Sequence, residues 1–277
     1  IESIVGILNG TTNYILSQMT ETGVNYANAL ADAQKQGFAE ADPTNDVCGF
    51  DAARKLAILS SIGFRANVTF DDVLVEGIEK IDKSDIQYAK DMGYTIKLLT
   101  VALRQENGIA LNVYPAFLPD NHPLSSVKGA YNAIYVTGNI VDDVMFYGRG
   151  AGALPTASAV MGDVISTAQH ILNGSTGTGM IMTDTKRIPF YSSLKLQNSY
   201  YFRLDVDDVT GVLSQIAAAF AENDISICEV VQKRKTKGLA ELVLITELAS
   251  RESILQVEKA LQVLPCMRKV ANVIRVM

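Results

Sequence analysis

Between Tyr201 and Val276 the apolar residues change period several times, and the order of those periods leaves few folds open. Phe202, Leu204 and Val206 alternate with polar neighbours over Tyr201 to Asp207, the pattern of a half-buried strand. Leu213, Ile216, Ala217 and Phe220 then recur at helical spacing. Two strand-like runs follow, Ile227 to Lys233 and Ala240 to Glu247. A second helical face carries Ile254, Val257, Leu261 and Leu264, and Val270 to Val276 closes the unit. The order βαββαβ is the ferredoxin-like split βαβ plan.

Upstream, residues Asn173 to Lys195 are rich in Gly, Ser and Thr and hold no period, which reads as a linker. The chain therefore divides into a first domain at 1–172, a linker at 173–198 and the βαββαβ unit at 199–277. In the first domain a strand over Ile4 to Leu8 runs into Asn9-Gly10-Thr11-Thr12, whose threonines can cap a helix over Asn13 to Thr20. A helix over Tyr26 to Gln36 stops at Gly37. A polar, proline-bearing loop delivers the chain to a long helix, Val47 to Ile62. After a short helix around Asp85 to Asp91 come strands Thr95 to Arg104, Ile109 to Phe117, Ala133 to Val141 and Val144 to Tyr147. Asn107-Gly108 predicts a type I′ hairpin between the first two. A helix over Thr156 to Leu172 ends the domain. The expected class is α+β, a largely antiparallel sheet packed with helices and followed by the ferredoxin-like unit. The meander must bury its second face, which predicts a homo-oligomer, dimer or tetramer.

Of the 277 residues 48% are apolar, enough for a sizeable core, yet no apolar run approaches the roughly 20 residues of a bilayer crossing. The net charge of −6 is spread along the chain, with no basic patch for nucleic acid. Small molecules and protein partners are the expected ligands, with neither membrane nor nucleic acid. Cys48, Cys228 and Cys266 are widely spaced inside apolar or helical patterns, which predicts buried free thiols in a cytoplasmic protein and no zinc site. No metal-ligating cluster is visible, and His122 and His170 stand alone. The chain opens as a strand entered part-way, without Met or a signal sequence, so a longer protein is expected.

Two constellations carry possible chemistry. Asp51 and Lys55 lie one helical turn apart, on a stripe with Val47, Ile58 and Ile62, so both charges are expected in apolar surroundings. Glu40, Asp42 and Asp46 crowd the preceding loop and make a polar edge suited to an ammonium or hydroxyl group, although Asp46 also serves as a helix cap. The ordinary alternative is a helical ion pair worth a few tenths of a kcal/mol. The second constellation is Gly148-Arg149-Gly150-Ala151-Gly152 before a helix, which imitates part of a dinucleotide fingerprint. No second strand ending in an acidic residue follows, so a complete nucleotide-binding unit is not expected here. A tight turn, or a glycine loop touching a cofactor held by another domain, both fit.

These residues resemble the homoserine dehydrogenase family. The resemblance is carried by Gly6-Ile7-Leu8-Asn9-Gly10-Thr11-Thr12-Asn13-Tyr14-Ile15, Gly37-Phe38-Ala39-Glu40-Ala41-Asp42-Pro43, Asp46, Gly49-Phe50-Asp51-Ala52-Ala53-Arg54-Lys55 and Gly148 to Gly152 with Pro155-Thr156-Ala157-Ser158-Ala159. It implies NAD(P)H-dependent interconversion of L-aspartate 4-semialdehyde and L-homoserine, on the route to threonine and methionine. It implies Lys55 as proton donor and Asp51 beside it, with Glu40, Asp46 and Asp51 binding substrate and Gly37 and Gly152 contacting the nucleotide. The cofactor would be bound mainly by an N-terminal domain preceding residue 1, so the chain by itself is expected to be inactive. The C-terminal unit resembles an ACT domain through Asp208-Val209-Thr210-Gly211-Val212-Leu213 and Asn223-Asp224-Ile225-Ser226-Ile227. That resemblance implies an amino-acid effector, threonine first, bound by Asp208, Gly211, Val212, Asn223 and Ile225, and hence allosteric regulation. The competing readings are a non-catalytic amino-acid sensor and an oxidoreductase acting on another aldehyde or keto acid.

Overall fold

The computed structural model describes residues 1–175, 188–236 and 238–277, with the backbone alone at 234–236. The first domain runs β1 (Ser3–Ile7), α1 (Gly10–Thr22), α2 (Tyr26–Lys35), α3 (Thr44–Val47), α4 (Phe50–Phe64), β2 (Leu74–Val75), α5 (Lys83–Asp91), β3 (Tyr94–Gln105), β4 (Gly108–Pro119), β5 (Tyr131–Gly138), β6 (Asp142–Arg149) and α6 (Ala153–Leu172). The C-terminal unit runs β7 (Gln197–Asp207), α7 (Val212–Ala221), β8 (Ile227–Thr236), β9 (Leu239–Thr246), β10 (Ala249–Ser250), α8 (Arg251–Gln262) and β11 (Met267–Val276). Of the expected linker, residues 176–187 lie outside the described residues.

The strands join in one sheet of order β6-β5-β1-β3-β4-β11-β7-β9-β8. Its last four strands have the arrangement of a ferredoxin-like unit, and the antiparallel α+β class read from the sequence holds. The two parts are not separate bodies on a tether, because β11 pairs parallel with β4, setting Arg275 beside Ala116 and Val276 beside Phe117. Strand alternation gives the first domain two apolar faces. Ile96, Leu98, Leu111 and Val113 pack under α1, α4 and α5, in a cluster that also takes in Tyr201, Val243 and Ile274 of the C-terminal unit. Leu99, Val101, Tyr114 and Leu118 fill the opposite face with Leu124 and Val127 from the segment before β5. The second face of β1, β3 and β4 is thus covered within the chain. What stays open is the β6 end, with Phe146 and Tyr147 exposed, and α6, none of whose residues is buried.

A buried polar network ties the parts together. Asp85 on α5 has no exposed surface, and Arg203 on β7 is only 5% exposed. Arg203 Nε donates to Asp85 Oδ1 at 2.8 Å, and its guanidinium also engages Asp82 and, at 3.4 Å, Glu241. Tyr201 Oη (3.2 Å), Asn272 Nδ2 (2.7 Å) and the Asp82 N–H (3.0 Å) also donate to Asp85, while Tyr88 Oη donates to Glu241 at 2.9 Å.

Several local expectations are corrected. The helix expected over Val47 to Ile62 is two helices, broken at Gly49, whose φ of +82° favours glycine and whose absent Cβ would crowd Val113 and Val75 at 3.1 Å. The β3–β4 hairpin turns through Glu106 and Asn107, since Gln105 pairs with Gly108, and neither turn residue has positive φ. It is therefore not the type I′ turn. Gly108 is there for a close approach: a Cβ would stand 2.2 Å from the Pro189 carbonyl, whose oxygen accepts the Ile109 N–H at 3.0 Å. Only Cys266 of the three free cysteines is buried; Cys48 is half-buried and Cys228 exposed. No helix among the described residues is long and apolar enough to cross a membrane.

Candidate active-site cleft

The end of β1 starts the site. Asn9, 4% exposed, caps α1, its Oδ1 accepting the Thr12 N–H at 2.8 Å and the Thr12 hydroxyl at 2.9 Å. The cap is therefore Asn9, two and three residues before the threonines expected to serve, and α1 begins at Gly10. From α1, Thr11 Oγ1 donates to the Phe38 carbonyl at 2.6 Å and the Tyr14 ring packs on Phe38 at 4.6 Å, which holds the turn at Gly37 (φ +78°) against the helix. The loop then climbs into α3 through Asp42, whose carboxylate accepts the Thr44 N–H and hydroxyl. Those bonds hold the Asp42 carboxyl below its ordinary pKa.

Asp46, on α3, and Asp51, in the first turn of α4, converge on Asn9. Its Nδ2 donates to Asp46 Oδ1 at 2.7 Å and to Asp51 Oδ2 at 2.9 Å. Burial lifts the Asp46 carboxyl above its usual range; the Asn9 N–H opposes this, and Asp51 and Glu40 add to it. Lys55 Nζ donates to Asp51 Oδ2 at 2.7 Å and to the Leu8 carbonyl at 3.1 Å. The apolar surroundings expected for this pair are absent: Ile58 and Ile62 on the same stripe are exposed, and the Lys55 side chain is 45% exposed. Beyond Lys55 the stripe faces outward, because the core is reached by the neighbouring Ala52, Ala53 and Leu56.

Across the cleft, Asn132 on β5 donates from Nδ2 to the same Leu8 carbonyl at 3.2 Å, and its buried Oδ1 has no hydrogen-bond partner among the described residues. The glycine turn rests on this side chain, for a Cβ at Gly150 would lie 2.1 Å from Asn132 Nδ2. Gly152, at φ +120° and ψ 155°, starts α6 without a side-chain cap. Gly37, Glu40, Asp46, Asp51, Lys55 and Gly152 all line one cleft of about 650 Å³, together with Asn9, Asn132 and Arg149. Residues separated by more than a hundred positions in sequence thus share one space.

Sequence reasoning missed Asn9 and Asn132. Asn9 was legible as a cap, since Asn is among the strongest N-cap residues; nothing in the sequence marks Asn132. In the C-terminal unit the five effector candidates are not brought together. Asn223 and Ile225 line a polar cavity of about 310 Å³ with Gln197, Ser250 and Ser253. Asp208, Gly211 and Val212 lie at the other end of α7, whose ten residues span about 15 Å.

Comparison with known proteins agrees with this architecture. The homoserine dehydrogenase family model matches residues 1–165, and the ACT domain model matches residues 200–266. A homoserine dehydrogenase of Mycobacterium tuberculosis is 44% identical over 98% of this chain, which spans 64% of that relative's length. The crystal structure of a homoserine dehydrogenase from Thiobacillus denitrificans superposes with a TM-score of 0.93 at 35% identity, covering all of this chain and 64% of the other. A hyperthermophilic archaeal homoserine dehydrogenase mutant in complex with NADPH covers 61% of this chain and 48% of its own, with a TM-score of 0.51 and 27% identity. A family match spanning more than half of the residues, with the motifs that carry it gathered around one cleft, means that the chain belongs to the homoserine dehydrogenase family and ends in an ACT domain.

Proposed function

We propose that the chain supplies the substrate-binding and regulatory part of a cytoplasmic homoserine dehydrogenase, which reversibly reduces L-aspartate 4-semialdehyde to L-homoserine with NAD(P)H. The observation that carries this reading is the convergence of Glu40, Asp46, Asp51 and Lys55 on one cleft beside the glycine turn. NAD(P)H, when bound, supplies the hydride. The residues here fit such a nucleotide: the first turn of α6 has no side-chain cap, and nothing within 4 Å would meet a Cβ at Gly37 or Gly148, so backbone is open to approach. Most of the nucleotide would be held by a domain outside this chain, and we expect the chain by itself to be inactive.

Reduction of an aldehyde places negative charge on the carbonyl oxygen. The Lys55 ammonium, held by Asp51 and the Leu8 carbonyl, keeps one N–H to stabilise that charge and to deliver the proton. Glu40, whose carboxylate accepts no hydrogen bond among the described residues, is suited to the substrate ammonium. We further propose that threonine or a related amino acid acts on the ACT domain and that the chain forms a homo-oligomer. The wholly unburied α6 and the open β6 end support the second point.

The test is Lys55→Ala in the full-length enzyme. Loss of a general acid of this kind lowers kcat/KM by about 10²–10⁴-fold with substrate binding largely kept. A wild-type rate would discard the assignment, and so would dehydrogenase turnover by the 277-residue chain alone for the claim of inactivity. For the effector, calorimetry showing no heat with threonine, methionine, isoleucine or lysine would remove that part.

A further inference from the structure

Two carboxylates in contact with one neutral amide need an explanation. Asp46 and Asp51 sit on different helices, and their like charges oppose the approach that the cleft requires. Asn9 answers this with both amide hydrogens, one to each carboxylate, at 2.7 and 2.9 Å. Its orientation is not free to flip. The Oδ1 accepts the Thr12 backbone N–H, which can only donate, so the NH₂ group must face the acids. Asn9 is almost wholly buried, its side chain uses every hydrogen-bonding group it has, and Lys55 completes the row through the oxygen of Asp51 that Asn9 also touches.

We infer that Asn9 is a positioning residue, a neutral clamp that holds the substrate-facing carboxylates Asp46 and Asp51, and through Asp51 the ammonium of Lys55, in one fixed geometry. This rests on the functional reading above and adds to it a residue that does not itself touch the reacting atoms. The charged groups that line the cleft around the clamp are Asp46, Asp51, Glu40, Asp42, Lys55, Arg54 and Arg149. Without the amide, Asp46 keeps its burial and the repulsion of Asp51 and Glu40, and loses the N–H that favours its ionised form.

The clamp and the helix cap can be separated, because Ser and Asp cap a helix about as well as Asn but cannot offer two N–H groups. Asn9→Ser and Asn9→Asp are made in the full-length enzyme. Asn9→Ser is expected to melt close to the wild type, whereas Asn9→Asp, which buries a third carboxylate against Asp46 and Asp51, is expected to melt lower at neutral pH and to recover as the pH falls. Asn9→Ser should lose on the order of 10²-fold in kcat/KM, the penalty of a misplaced catalytic group, and the acid limb of its pH profile should move to higher pH. Asn9→Asp should lose more at neutral pH and regain part of the rate as the pH is lowered, when a third acid can hold a proton to donate. A titration of the Asp46 carboxyl by NMR should show its pKa raised in Asn9→Ser, independently of turnover. An unchanged acid limb together with an unchanged Asp46 titration overturns the clamp, whatever the rate. If Lys55→Ala keeps the wild-type rate while the Asp46 titration still moves, the clamp stands and the general-acid role of Lys55 falls; a full-length enzyme without dehydrogenase turnover would remove the functional reading and leave the clamp to the titration alone.

Discussion

The network at Arg203 makes a quantitative demand on the fold. Arg203→Met keeps most of the side-chain volume on β7 but withdraws the positive charge facing Asp85, Asp82 and Glu241. Asp85 is completely buried and Glu241 is 6% exposed, so water cannot replace the guanidinium. Asp85 would keep only neutral donors, Tyr201, Asn272 and the Asp82 N–H, and Glu241 would keep the Tyr88 hydroxyl but lose the guanidinium. Breaking a buried ion pair by removing one partner costs about 3–5 kcal/mol. At about 2–4 °C per kcal/mol for a chain of this order of size, the melting midpoint should fall by about 6–20 °C. Because the network joins α5 to the ACT sheet, the calorimetric transition should also broaden or split as the two parts uncouple. Arg268→Met is the reference: its bidentate pair with Asp207 at 2.6 and 2.9 Å lies on the surface, and its loss should leave the midpoint near the wild type. A loss at Arg203 below about 1 kcal/mol, the range of exposed pairs, would refute the reasoning.

Gly150→Ala places a methyl where Asn132 Nδ2 stands 2.1 Å away, so Asn132 must leave the Leu8 carbonyl that it shares with Lys55. Steady-state kinetics of the full-length variant should show a clear fall in kcat/KM with the unfolding midpoint little changed. Lys97 is 1% exposed, and burial pushes its ammonium down to about 8 from an ordinary 10.5. The unfolded chain thus binds more protons between those values, so this group adds stability as pH rises from about 8 to 10.5 and withdraws it as pH falls back. Denaturant titrations should show that rise in the wild type relative to Lys97→Met; identical pH slopes for the two would contradict it.

The elements that were legible in the sequence were those set by local pattern. Alternation at Phe202, Leu204 and Val206 and the helical row at Ile254, Val257 and Leu261 report burial directly, and burial is what the fold requires of them. Asp51 and Lys55 were legible as a pair because one helical turn brings them together. The misreadings share one cause, a partner distant in sequence. Gly49 breaks a helix against Val113 and Val75, and Gly108 is chosen by Pro189 rather than by its own turn. Asn132 reaches the site through Leu8, across more than a hundred residues. The exposure of Ile58 and Ile62 could not be told from burial, since helical spacing places apolar residues on a face without saying what covers it.

The pairing of β11 with β4 has a mechanical consequence. It consumes one border of the ACT sheet, so among the described strands only β8 still offers that unit a free margin for another chain's backbone. Strands bonded side by side share their twist. An angle imposed at β8 by a neighbouring chain would therefore be carried inward across β9, β7, β11, β4 and β3 to β1, whose next residue, Leu8, offers the carbonyl on which the Lys55 ammonium rests.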